Sequence, residues 1–146
     1  MPTVYTIGTE RRPLSDFIAT LRDAGVDAVV DIRLHNTSQL AGYSKRDDLA
    51  FLLREGFGIA YEHLPELGPT EEITRAYRKD RDWEAYRRGF EPLLAERDAA
   101  SIGRDLLSRY RAPCLLCAER DAESCHRSLV AAHWAEHIAD VQVVHL

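Results

Sequence analysis

Apolar positions recur along this chain with two alternating periods. Val4–Gly8, VYTIG, is a short β-branched and aromatic run closed by glycine, which predicts a buried strand. In PLSDFIATLRDAG, Leu14, Phe17, Ile18 and Leu21 fall at i, i+3, i+4 and i+7, one apolar face of a helix. Gly25 is placed to end that helix in a left-handed conformation. Val26–Leu34, VDAVVDIRL, predicts a second strand, and HNTSQLAGYS after it reads as a loop. Ser44 then stands as the N-cap, with Asp47 near the third helical position, of a helix that buries Leu49, Leu52 and Leu53 and ends at Gly56.

Gly58–His63 predicts a third strand, and the turn-rich LPELGPT leaves it. Residues 70–110 carry helical periodicity throughout and predict two or three helices, with Pro92 at a first turn or a kink. Cys114–Ala118, CLLCA, predicts a fourth strand. A helix follows from about Cys125 to Ala139, with Val130, Trp134 and Ile138 on one face, and VQVVHL gives a fifth strand. Strands alternating with helices predict an α/β fold: a mostly parallel five-stranded sheet flanked by helices, with a helical insertion between strands three and four.

At 146 residues the chain is long enough to bury a core and is expected to form one domain over 1–146. A composition of 45% hydrophobic and 29% charged residues is that of an ordinary soluble protein. The apolar runs are too short to cross a bilayer, and the opening residues lack a secretory pattern, so cytoplasm is the default expectation. Three cysteines make a disulfide framework an unfavoured reading. A net charge of −5 argues against general nucleic-acid binding, though not against a small basic pocket. Arginine supplies nearly all the positive charge, and it is the better bidentate partner for carboxylate or phosphate.

A parallel sheet gathers the carboxyl ends of its strands onto one edge, where ligands of open α/β sheets bind. That edge would collect Gly8, Thr9 and Glu10, then Asp31 and Arg33, then Glu62 and His63, then Cys117 and Glu119. Cys125, His126 and Arg127 would join them at the amino end of the last helix, where unpaired N–H groups and the helix dipole favour anions. The segment LLCAERDAESCHRS thus reads as the rim of a pocket. Arg33 and Arg127 are candidate anion contacts with Thr9 and His126. Asp31 and Glu119 are candidate acid/base or sugar-hydroxyl contacts, and Cys117 or Cys125 a candidate nucleophile. Ser38, Tyr43, Lys45 and Arg46 lie in or after the next loop and could close over it.

TIGTERRPLSDF, VVDIR, GIAYEHLPELG and LLCAERDAESCHRSLVA resemble successive blocks of the "domain of unknown function 488" family, over essentially the whole chain. The resemblance implies an α/β fold and a shared polar site at Asp31, Arg33, Cys117, Glu119, Cys125, His126 and Arg127, without implying a reaction or a cofactor. The family usually carries a histidine after the first strand's glycine, where this chain has Thr9.

Other readings stand beside the pocket. Cys117 suits a small buried residue under the loop, Cys125 a capping role, and a reversible Cys117–Cys125 disulfide is conceivable across the loop. Arg127 suits an ion pair with Glu119, Glu123 or Asp31. Cys114, Cys117, Cys125 and His126 total four zinc-ligand types, but residues three apart on a strand point to opposite faces. In that alternative the chain is a small zinc-stabilised domain. In another it is a binding module without turnover, its polar cluster structural. Tyr77, Trp83, Tyr86 and Phe90, interleaved with arginines, suit core packing, a homodimer contact or base stacking.

Overall fold

The computed structural model describes residues 2–119 and 122–146. Its five strands are β1 (Thr3–Gly8), β2 (Ala28–Asp31), β3 (Ala60–His63), β4 (Pro113–Cys117) and β5 (Gln142–His145). They form one sheet in the order β3-β2-β4-β1-β5, and every neighbouring pair is parallel. The helices are α1 (Leu14–Ala24), α2 (Arg46–Phe51, continued by a π-helical turn over Leu52–Gly56), α3 (Glu71–Asp80), α4 (Trp83–Glu96), α5 (Ala99–Arg109) and α6 (His126–His137). The expected α/β architecture is present, with α3, α4 and α5 as the insertion between β3 and β4.

Alternation along the strands divides the core into two layers. Ile7, Val29, Tyr61, Cys114 and Leu116 pack against Phe17, Ile18 and Leu21 of α1, Leu49 of α2 and Leu53 of the turn after it. Val4, Val30, Ile32 and Leu115 pack against Phe90 and Leu94 of α4, Leu106 of α5, and Val130 and Trp134 of α6. Helices α5 and α6 meet closely because Gly103 has no side chain: a Cβ there would stand 2.7 Å from the Trp134 ring. The Trp134 indole N–H donates to the Ala99 carbonyl at 2.9 Å and fixes the ring there.

Gly25 ends α1 in the left-handed region (φ 75°), as its position predicts. Other boundaries moved for local reasons. Gly58 is left-handed (φ 66°), so β3 begins at Ala60. Asp82 Oδ1 accepts from the Ala85 N–H and starts α4 early, which leaves Pro92 inside that helix instead of in its first turn. Ser44 does not cap α2. Lys45 occupies that position, while Ser44 closes a 3₁₀ segment over Gln39–Ser44 and is buried, its carbonyl accepting from Arg33 at 2.7 Å. A buried guanidinium has few other acceptors, and its demand outweighs a helix cap.

The connection out of β1 runs past β4 to β2, and the connection out of β4 runs past β1 to β5. Their opposite departures place a crevice outside the carboxyl ends of these two adjacent strands.

Candidate functional site

Strand register decides which polar ends meet. Asp31 pairs with Leu116, whereas Cys117 pairs with Gly8. Residues in register share a face, so Asp31 points with Leu116 toward α1 and α2, and Cys117 points toward α6.

On the α1/α2 side, Asp31 is fully buried and heavily bonded. Its carboxylate accepts from Arg33 Nε and Nη2, each at 2.8 Å, from Asn36 Nδ2 at 3.0 Å, from the Arg33 N–H at 3.1 Å and from the Tyr61 hydroxyl. Burial pushes this carboxyl upward, but the Arg33 charge and the converging donors overcome it and hold its pKa below the usual value. Arg33 spends its remaining reach on Ser44. Ser38 and Lys45 belong to this side. Ser38 accepts from the Leu40 N–H, and Lys45 sits near Gln39 and Asp48. Neither lines the cleft on the α6 side.

The cleft opens on the α6 side, with a volume of about 260 Å³. Cys117, Glu119, Cys125 and His126 line it, together with Arg33, so the structure brings those five expected residues together. Thr9 does not line it; its N–H donates to the Cys117 carbonyl at 3.3 Å, tying β1 to β4. Arg127 lies beneath the wall, 1% exposed. Its guanidinium donates to Thr6 Oγ1 at 3.2 Å and to the Glu119 carbonyl, and Nη1 stands 3.2 Å from Cys117 Sγ. Gly8 permits this arrangement, because a Cβ there would lie 1.7 Å from the Glu119 carbonyl oxygen.

Cys117 and Cys125 are joined by a disulfide, while Cys114, on the opposite face of β4, is a free buried thiol. Cys114 and Cys117 therefore do not converge on a common zinc ion. Burial pushes the Cys114 pKa far upward, which makes that thiol inert.

His126, the first residue of α6, places Nε2 at 2.9 Å from the Ile32 carbonyl and its ring edge-on to Phe90. Nε2 is therefore the protonated nitrogen and Nδ1 the acceptor. Burial lowers its pKa to about 4, so the ring is neutral at pH 7. Glu119 moves the other way: partial burial and the neighbouring Glu10 carboxyl raise its pKa, with Arg81 and Arg127 opposing.

The opposite wall comes from α3, outside the strand-end edge where the candidate residues were expected to gather. Thr74, Tyr77 and Arg78 line the cleft with Arg81 just past the helix end, and Tyr86 joins from α4. Thr74 Oγ1 is buried and, among the described residues, has no hydrogen-bond partner. The arginine–aromatic alternation in EEITRAYRKDRDWEAYRRG was the available signal, but it does not distinguish a solvated face from a pocket wall.

An open, all-parallel α/β sheet with a crevice at its direction reversal, walled by a helix amino end, is an architecture of the doubly wound type. Among the described residues no helix is long and apolar enough to cross a membrane. The chain belongs to the family described as "domain of unknown function DUF488", which it matches over residues 13–134. No curated protein and no solved structure matches it.

Proposed function

We propose that the cleft binds a small anionic ligand of nucleotide-like shape between the amino end of α6 and the α3 wall. The observation that carries this reading is the charge balance of the walls. The first turn of α6 holds no acidic residue, and Arg78 and Arg81 line the facing wall. The positive end of a helix dipole and arginines across the cleft suit a phosphate. Tyr77 and Tyr86 supply ring surface for a base. Arg33 and Arg127 act as positioning residues, since their donors already go to protein acceptors that shape the walls. Glu119, with its raised pKa, is the candidate proton donor to a bound ligand, and the Cys117–Cys125 pair the candidate thiol chemistry.

Titration calorimetry with inorganic phosphate and with a nucleoside monophosphate tests the reading. The nucleotide is expected to bind more tightly than phosphate. The Arg78→Ala/Arg81→Ala double variant is expected to lose at least about tenfold in affinity, roughly one charge-assisted hydrogen bond. Unchanged affinity in the double variant, or no binding to the parent protein, overturns it.

A binding module without turnover is the second reading. Its support is that Asp31, the best-placed carboxylate at the strand ends, is wholly occupied by Arg33, Asn36 and Tyr61 on the face away from the cleft.

A further inference from the structure

The three cysteines of this chain occupy contrasting surroundings. Cys114 is sealed in the α1/α2 layer with its pKa pushed up. Cys117 and Cys125 both line the cleft, and each has a feature that stabilises a thiolate. Arg127 Nη1 lies 3.2 Å from Cys117 Sγ. Cys125 is the N-cap of α6, with no capping side chain and no acidic residue in the turn that follows, and His126 Nδ1 stands 4.0 Å from its sulfur. Positive charge and a helix amino end are the two commonest means of lowering a thiol pKa, and here they act on adjacent sulfurs.

We propose that Cys117 and Cys125 form a dithiol–disulfide exchange centre for low-molecular-weight thiols that enter through the cleft. A small thiolate attacks Cys125 Sγ. The Cys117–Cys125 bond breaks, a mixed disulfide forms at Cys125, and Cys117 leaves as a thiolate beside the Arg127 guanidinium. A second small thiolate then attacks the outer sulfur of the mixed disulfide. Small-molecule disulfide departs, Cys125 leaves as a thiolate, and water supplies the protons that return both cysteines to thiols. Two small thiols thereby lose two electrons and two protons in all, and the protein gains them. A small-molecule disulfide drives the reverse reaction. A stable leaving thiolate speeds exchange, which is the part Arg127 plays at Cys117.

The two cysteines are only 1% and 2% exposed, which sets the substrate class. A reagent must fit the cleft, so small thiols qualify and protein dithiols presented on a domain surface do not. The preference for an anionic over a neutral small thiol rests on the anion-binding reading above; the exchange itself does not.

Intact-mass analysis after rapid native alkylation reads the outcome. Protein equilibrated with oxidised glutathione is expected to take up no label, and protein reduced with glutathione to take up label at Cys117 and Cys125. Cys114 is expected to label only after unfolding. In Cys117→Ser, which lacks the resolving thiol, the glutathione mixed disulfide is expected to accumulate on Cys125. Exchange rates with glutathione and with 2-mercaptoethanol, compared at equal thiolate concentration, separate the two proposals. Exchange at equal rates keeps the centre and overturns the anionic preference. Failure of both thiols to reduce the folded parent protein, or rapid native labelling of Cys114 alone, overturns the centre.

Discussion

The two faces of the sheet end in polar clusters of opposite character. On the α1/α2 face, Asp31 is enclosed by Arg33, Asn36 and Tyr61, and every bond closes within the protein. On the α6 face, Cys117, Glu119, Cys125 and His126 border a cleft, and a buried Thr74 hydroxyl has no partner among the described residues. Both clusters sit at the carboxyl edge. The first resembles a structural brace and the second a site. A strand-end position therefore does not by itself bring a polar residue to the cleft; the face it takes decides.

The contrast breaks first at Asp31. Asp31→Ala leaves the Arg33 guanidinium buried without its carboxylate and is expected to cost about 3–5 kcal/mol in urea unfolding. A loss below about 1 kcal/mol would remove the structural role assigned to that face.

The next effect is on the cleft side and depends on pH. The folded-state pKa of His126, about 4, lies below the ordinary histidine value, so the folded protein resists protonation there. Its contribution is fully present above about pH 6.5 and is lost as the pH falls toward 4. The expected loss reaches on the order of 3 kcal/mol. His126→Gln keeps a donor directed at Ile32 and should flatten this part of the pH–stability profile. An unchanged profile would show that His126 is protonated freely in the folded state.

Gly8 links the strands beneath the cleft wall. Gly8→Ala would drive a methyl group into the Glu119 carbonyl, displacing the wall and loosening the Arg127 contact. The expected cost is about 1–3 kcal/mol, with altered amide chemical shifts near the end of β4. The smallest stability effect is expected from Arg78→Ala and Arg81→Ala, both exposed residues, which should change unfolding free energy by less than about 0.5 kcal/mol each. A larger loss would move α3 from the cleft wall to the structural side of the comparison.

Much of the scaffold was legible along the chain. The alternation of strand and helix periods, the Gly25 stop and the helical character of residues 70–110 follow from local pattern, which left two or three helices open there where the structure has three. So did the collection of Arg33, Cys117, Glu119, Cys125 and His126 at one edge, because parallel strands share a direction. The partition of Asp31 from Cys117 was not legible. Each strand's alternation is written in its sequence, but the relation between two strands depends on register, and a slip of one residue exchanges the faces. The role of Ser44 was hidden for a similar reason, since Arg33 claims its carbonyl only after the chain has folded back.

By itself the sequence determined the order and kind of the elements, the parallel sheet and the edge where chemistry-bearing side chains gather, because these depend on contacts close along the chain and on the handedness of strand–helix units. Tertiary structure alone decided that Asp31 is braced while Cys117 meets Cys125, and that α3 supplies Arg78 and Arg81 to the opposite wall. Those outcomes rest on inter-strand register and on packing between segments distant in sequence, which no local pattern encodes.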